Sequence, residues 1–177
     1  MVKISLFGLA GTGTSSVGKH LAEKRKLEFI SSGNIFREMA IEHGLDLYKF
    51  GKLCEKDPSM DKELDKRIEK YGGSHDDFII DSRLAWHFIP DSIKVKLICD
   101  DAIRLKRVSE RDGITVDDAK KKTTEREASE NMRYYTYYKI KDYVDNKHFD
   151  LIIDTTDISI EEVSRKIEGY LIRRLTE

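Results

Sequence analysis

A glycine-rich octapeptide near the start of the chain, Gly8–Ser15, has the clearest chemical character: it reads Gly-Leu-Ala-Gly-Thr-Gly-Thr-Ser. Its spacing matches a phosphate-binding loop (P-loop) of the form G-x-x-x-x-G-K-[ST], except that Thr14 replaces the usual lysine. Glycines let backbone N–H groups approach phosphate oxygens closely, and the Ser15 hydroxyl is of the type that binds Mg²⁺. The octapeptide therefore predicts a phosphate site. The alternative is a strand-to-helix turn that binds no ligand.

A second group of candidate residues directly follows the apolar run Phe78–Ile80. Asp81 would lie at the carboxyl end of a buried strand, where a carboxylate can hold Mg²⁺ through water in P-loop enzymes. Arg83 would then point across the same cleft. The alternative is that Asp81 only caps the next turn.

The segment Ser32-Gly33-Asn34-Ile35-Phe36-Arg37 begins a polar helical stretch. We expect Ser32 to be the N-cap, with Arg37 about one turn further on and within reach of an anion at the helix start. Alternatively, Arg37 is a surface residue that pairs with Glu38 or Glu42.

Five further arginines share helix faces in two groups: Arg104, Arg107 and Arg111 at positions i, i+3 and i+7, and Arg126 and Arg133, seven residues apart. Guanidinium groups suit the charged oxygens of a phosphoryl group in transfer. Each arginine alone is also compatible with a solvated surface, and Arg126 with Glu130 forms an ordinary i,i+4 pair.

Three aspartates, Asp57, Asp61 and Asp65, recur at every fourth position. This spacing is typical of a solvated helix face, and we predict no metal there. A carboxylate at one of these positions could still bind the exocyclic amine of a nucleic-acid base.

The elements that would position these residues alternate between strands and helices. Apolar or β-branched runs predict five strands, at Val2–Phe7, Glu28–Ile30, Phe78–Ile80, Ile93–Cys99 and Asp150–Asp154. Capping patterns predict that one helix begins at Thr115 and continues to about Tyr138, and that another begins at Ser159–Glu162. This alternation predicts a parallel α/β sheet with the P-loop at its ligand-binding edge.

The composition limits the classes of function. The chain has 177 residues, of which 39% are hydrophobic, and 32 basic against 33 acidic residues give a net charge of −1. Such a balance argues against a protein that mainly coats nucleic acid or a membrane. We find no secretory signal and no apolar run of about 20 residues, the length of a membrane span. Cys54 and Cys99 form no ligand pattern. We expect a single-domain, monomeric, cytoplasmic protein.

Together these motifs resemble the nucleoside monophosphate kinases. The resemblance covers almost the whole chain and rests on four segments: Gly8–Ser16, Ser32-Gly33-x-x-x-Arg37, Asp81-x-Arg83 and Arg107-x-x-x-Arg111. Within that family the chain is most similar to the archaeal-type cytidylate kinases, through Gly11–Ser15, Glu55–Pro58 with Asp61 and Asp65, Ser82–Ala85 and Arg126–Tyr134. Threonine at position 14 is compatible with this branch.

The resemblance implies a three-layer P-loop NTPase fold with a five-stranded parallel sheet. Residues 1–177 would form one kinase domain, with a core at 1–30, 77–112 and 141–177, a monophosphate-binding excursion at 31–76 and a lid at 113–140. The implied activity is transfer of the γ-phosphate of ATP to CMP or dCMP, with Mg²⁺ as cofactor. The alternatives are another small P-loop kinase, for adenylate or dephospho-coenzyme A, or a non-catalytic ATP-binding regulator.

The implied roles divide the candidate residues into four groups. ATP would be bound by Gly8, Leu9, Ala10, Gly11, Thr12, Gly13, Thr14, Ser15, Ser16, Arg107 and Arg111. The acceptor monophosphate would be bound by Ser32, Gly33, Arg37 and Arg83. Catalysis would depend on Asp81, Arg126 and Arg133, and Mg²⁺ would be held by Ser15 and, through water, by Asp81.

Overall fold

A five-stranded sheet forms the centre of the computed structural model, which describes residues 2–176 without the side chains at positions 47, 48, 175 and 176. The strands are β1 (Lys3–Gly8), β2 (Glu28–Ser31), β3 (Phe78–Asp81), β4 (Ile93–Ile98) and β5 (Leu151–Asp154). Their spatial order is β2-β3-β1-β4-β5, and each neighbouring pair is parallel. All five strands expected from the sequence are therefore confirmed, with ends that differ by at most one residue.

Eight α-helices connect or follow these strands within the described residues. They are α1 (Thr14–Arg25), α2 (Ser32–Glu42), α3 (Leu47–Lys56), α4 (Pro58–Ser74), α5 (Ala85–Phe88), α6 (Asp101–Asp112), α7 (Val116–Tyr138) and α8 (Ile160–Thr176). None of the helices in this part of the chain has the length and apolar character needed to cross a bilayer.

The sheet is covered on both faces because neighbouring strand residues point in opposite directions. Ile4 and Leu6 of β1 pack with one core cluster, to which α1 contributes Leu21 and α8 contributes Ile167. Phe7 points to the other face and packs with Leu84 and Trp86 at α5 and with Tyr143. Continuous apolar strands thus bury both sides, which confirms the three-layer architecture.

The capping signals in the sequence are largely confirmed. The backbone N–H of Asp118 donates to the Thr115 hydroxyl at 3.1 Å. Ser159 and Glu162 form a reciprocal capping box, in which the side chain of each accepts from the backbone N–H of the other, at 3.0 and 3.2 Å.

The N-cap expected for α2 is wrong by one residue. Ser31, not Ser32, accepts from the backbone N–H of Asn34, at 3.3 Å. An N-cap needs a non-helical backbone, and Ser31 has one because it is the last residue of β2, with φ −132° and ψ 135°. Ser32 is consequently the first residue of the helix.

Candidate active site

The P-loop joins β1 to α1 at the carboxyl edge of the sheet. Gly11 and Gly13 have φ values of +86° and +94°, a left-handed conformation that favours glycine. A Cβ at Gly11 would also overlap the main-chain carbonyl of Arg104, whereas a Cβ at Gly13 would meet no heavy atom within 4 Å. Gly11 is therefore required by packing within the protein, and Gly13 by backbone conformation.

Ser15 and Asp81 meet as the sequence predicts. The Ser15 hydroxyl, in the first turn of α1, donates to Oδ2 of Asp81 at the end of β3 over 2.5 Å. Hydroxyl and carboxylate oxygens suit Mg²⁺, which keeps several water ligands and usually takes only one or two carboxylates from a protein. The described residues contain no group of three or more potential metal-ligating side chains. The donor set therefore fits a Mg²⁺ ion bound mainly by phosphates and water.

Arg83 connects the P-loop to helix α7. Its Nη1 donates to the carbonyl of Gly8, and its Nε donates to Glu130 at 3.2 Å. Glu130 is 2% exposed and also accepts from Nε of Arg126 at 2.8 Å. Burial alone would raise the pKa of Glu130, but the charges of Arg83 and Arg126 hold that pKa below its usual value. The i,i+4 pair of Arg126 and Glu130 is thus present, and it joins a buried carboxylate to an arginine whose side chain is 62% exposed.

Helix α7 also covers part of α4. Nη1 of Arg133 contacts both carboxylate oxygens of Asp61 at 2.6 Å, and the Tyr138 hydroxyl donates to Asp65 at 2.6 Å. Burial is the main cause that raises the pKa of Asp65 to about 6. The expectation of a solvated acidic face is therefore wrong for Asp61 and Asp65, because α7 lies over them.

A cavity of about 540 Å³ lies between α7 and the segment that contains α2, α3 and α4. This volume is in the range of small-molecule sites. The predicted site residues that line it are Ser32, Gly33, Arg37, Arg83, Arg126 and Arg133. Asp61, Asp65 and Glu130 line it as well, together with residues that the sequence did not indicate, including Gly51, Cys54, Lys122 and Tyr134.

Arg37 points into the same region as the predicted acceptor-binding residues. Its Nη2 donates to Oδ1 of Asn34 at 2.5 Å rather than to Glu38 or Glu42. Glu42 instead pairs with Arg67 of α4 at 2.6 Å. The surface ion pair that was the alternative for Arg37 is therefore absent from the described contacts.

The three arginines of α6 have different surroundings. Nη1 of Arg107 donates to the Gly11 carbonyl at 3.4 Å, and its Nη2 donates to the carbonyl of Thr155, after β5, at 3.0 Å. Arg104 is 7% exposed and lies behind the P-loop. The guanidinium of Arg111 pairs with Asp112 at 2.7 Å near the end of α6, and the described hydrogen bonds of Arg111 include none to the loop.

Comparison with known proteins connects this geometry to a family. The model of the cytidylate kinase-like family matches residues 3–157. The cytidylate kinase of Methanosarcina mazei is 44% identical over 158 residues, which are 87% of each chain. The cytidylate kinase of Methanocorpusculum labreanum is 38% identical over 163 residues, 92% of each chain.

Solved structures share the fold at low sequence identity. Shikimate kinase from Acinetobacter baumannii, in complex with shikimate, superposes with a TM-score of 0.68 and 19% identity, and the match covers 98% of this chain and 94% of that one. An uncharacterized protein from Eubacterium ventriosum gives a TM-score of 0.74 at 20% identity, over 96% and 98% of the two chains. The fold is that of a P-loop kinase, and by its sequence the chain belongs to the cytidylate kinase-like family.

Proposed function

We propose that this protein is a cytidylate kinase, an ATP-dependent nucleoside monophosphate kinase that converts ATP and CMP or dCMP into ADP and CDP or dCDP. The observation that carries the proposal is the cavity of about 540 Å³, which is lined by Arg37, Arg83 and Arg126. It lies next to the P-loop, since Arg83 contacts the carbonyl of Gly8. Family membership supports the same acceptor class.

Such a reaction needs positioning more than acid–base chemistry. An oxygen of the acceptor phosphate attacks the γ-phosphorus of ATP, and the bond from that phosphorus to the β–γ bridging oxygen breaks. The acceptor oxygen is already anionic, so no general base is required. P-loop amides would hold the donor phosphates, and Ser32, Arg37 and Arg83 would hold the acceptor phosphate. Arg126 would neutralise charge on the group in transfer.

Two further proposals concern the Mg²⁺ ion and the oligomeric state and location of the protein. Ser15 and Asp81 would hold Mg²⁺, which when bound neutralises part of the charge on the donor phosphates. We also propose a monomer in the cytoplasm, a compartment compatible with the free thiols of Cys54 and Cys99. Light scattering during gel filtration tests the oligomeric state.

Asp61 and Asp65 would select the base. Cytosine presents an amino group beside a ring nitrogen acceptor, whereas uracil presents a carbonyl at the amino position. A carboxylate accepts from the amine of cytosine but has no donor for the carbonyl of uracil. Because Arg133 is paired with Asp61, its predicted contact with phosphates requires that pair to open. An amine bound to Asp61 would give that carboxylate a replacement donor.

An acceptor panel tests the proposed function. ADP formation from ATP is measured with CMP, dCMP, UMP, AMP and dephospho-coenzyme A, and we expect rapid turnover with the cytidine monophosphates. Faster turnover with AMP or dephospho-coenzyme A would indicate another small P-loop kinase. ATP binding without ADP formation from any acceptor would indicate a regulator.

A variant pair tests the acceptor site itself. Arg37→Ala should raise KM for CMP about tenfold or more, because a charged hydrogen bond to the acceptor phosphate is lost. Arg165→Ala is the control, since Arg165 is an exposed residue of α8 that pairs with Glu162 at 3.7 Å. Equal KM values for CMP in both variants would contradict the placement of the acceptor phosphate.

A further inference from the structure

Two arginines connect one face of helix α7 to the main chain of the P-loop. Nη1 of Arg104 contacts Glu127 at 2.9 Å and the carbonyl of Ala10 at 3.5 Å. One turn further along α7, Glu130 contacts Arg83, which donates to the carbonyl of Gly8. Each connection therefore runs from a carboxylate through a guanidinium to a P-loop carbonyl.

Of the two connections, the one through Arg104 is the more independent of the cavity. Arg104 does not line the cavity, whereas Arg83 does. The side chain of Arg104 is 9% exposed, so its charge needs compensation within the protein. Asp101, on the same helix, is 79% exposed, whereas Glu127 is 23% exposed. Glu127 is therefore the better shielded of these two partners.

Arg104 also touches the P-loop through its main chain. Gly11 packs so closely against the Arg104 carbonyl that a Cβ would overlap it. The loop can direct its N–H groups at an anion only while its carbonyls point elsewhere. The Arg104 guanidinium offers the Ala10 carbonyl a donor on the side of α6. The same guanidinium donates from Nε to Asp101 at 2.6 Å and from Nη1 to Glu127 of α7 at 2.9 Å.

We propose that Glu127 is a positioning residue for the phosphate donor: through Arg104 it fixes the Ala10 carbonyl and thereby the N–H groups of the P-loop. The proposal rests on the proposed function for the identity of the donor, ATP. Since α7 covers the cavity, the same contacts connect the helix over the acceptor side with the loop on the donor side. Glu127 and Arg104 touch no substrate in this role.

The test compares Glu127→Gln with Glu110→Gln, which removes the same charge from an exposed side chain that pairs with Lys106 of its own helix at 3.9 Å. The dissociation constant of ATP is measured by calorimetry without acceptor, and kcat and both KM values by a coupled assay. We expect Glu127→Gln to weaken ATP binding about tenfold and to raise KM for ATP, with KM for CMP unchanged. Glu110→Gln should behave as the wild type.

Arg104→Lys is the second variant, because lysine keeps the charge but lacks the planar fork that reaches several acceptors. If Glu127 acts through Arg104, the double variant should bind ATP no more weakly than Arg104→Lys alone. A lower melting temperature with unchanged ATP affinity, or additive losses in the double variant, would overturn the proposal. The ATP affinity is measured without an acceptor and so does not depend on the acceptor's identity. A wild type that phosphorylates no acceptor would refute the proposed function without deciding this proposal.

Discussion

Replacement of Asp65 by asparagine should stabilise the protein at neutral pH. Asp65 is 8% exposed beneath α7, and burial is the main cause that raises its pKa from 3.8 to about 6. That difference corresponds to about 3 kcal/mol of folding free energy lost by keeping the carboxylate ionised. Asparagine is neutral and still offers an oxygen to the Tyr138 hydroxyl, which donates to Asp65 at 2.6 Å.

The gain in stability from Asp65→Asn should be larger at neutral pH than at acidic pH. The folded state binds the proton of Asp65 more tightly than the unfolded chain does, so the wild type loses stability as pH rises through about 6. The advantage of Asp65→Asn should therefore fall from about 3 kcal/mol at pH 7.5 to about 1 kcal/mol at pH 4.5. Urea unfolding at both pH values measures it, with Glu110→Gln as the exposed control. An advantage that is absent at pH 7.5, or equal at both pH values, would refute the reasoning.

The remaining predictions concern the P-loop and α7. Gly13→Val should abolish ATP binding in a calorimetric titration while the protein remains folded, because φ is +94° there. Thr14→Lys should not raise turnover, since arginines already surround the loop, and a large increase would show that the loop lacks positive charge. Arg126→Ala and Arg133→Ala should each lower kcat about 10²-fold with little change in ATP affinity. Wild-type turnover in both variants, with melting temperatures as folding control, would contradict their lid role.

The sheet and its order of elements could be predicted because strands covered on both faces are apolar without interruption. The apolar run Phe78–Ile80 of β3 is fully buried in this way. The apolar run Leu151–Ile153 of the edge strand β5 gives the same signal, although Ile152 is 37% exposed. Local capping signals were equally informative, as Thr115 shows at the start of α7. The first residue of α2 could not be fixed from the sequence, because either of the two successive serines, Ser31 and Ser32, can act as the N-cap. Only the position at which β2 ends decides between them.

The site was predictable where residues follow strand ends, and less so where helices meet. Ser15 and Asp81 could be brought together from sequence because the carboxyl ends of parallel strands share an edge. Asp65 and Glu130 could not be recognised as buried, nor Asp61 as half-buried, since α4 and α7 are each polar on their own. Their burial arises from contact between two helices, which the periodicity of either helix does not record.

Thr14 in place of lysine changes how positive charge reaches the P-loop. Lysine is a compact point charge on a flexible stem, whereas a guanidinium can contact a carbonyl and a carboxylate together. Three arginines from outside the loop do contact its carbonyls: Arg83 at Gly8, Arg104 at Ala10 and Arg107 at Gly11. Contacts within the protein therefore hold these three guanidinium groups around the loop. Arg104 and Arg107 belong to α6 and Arg83 follows β3, while Glu127 and Glu130 of α7 contact Arg104 and Arg83. The P-loop of this chain is therefore part of a larger unit than its eight residues.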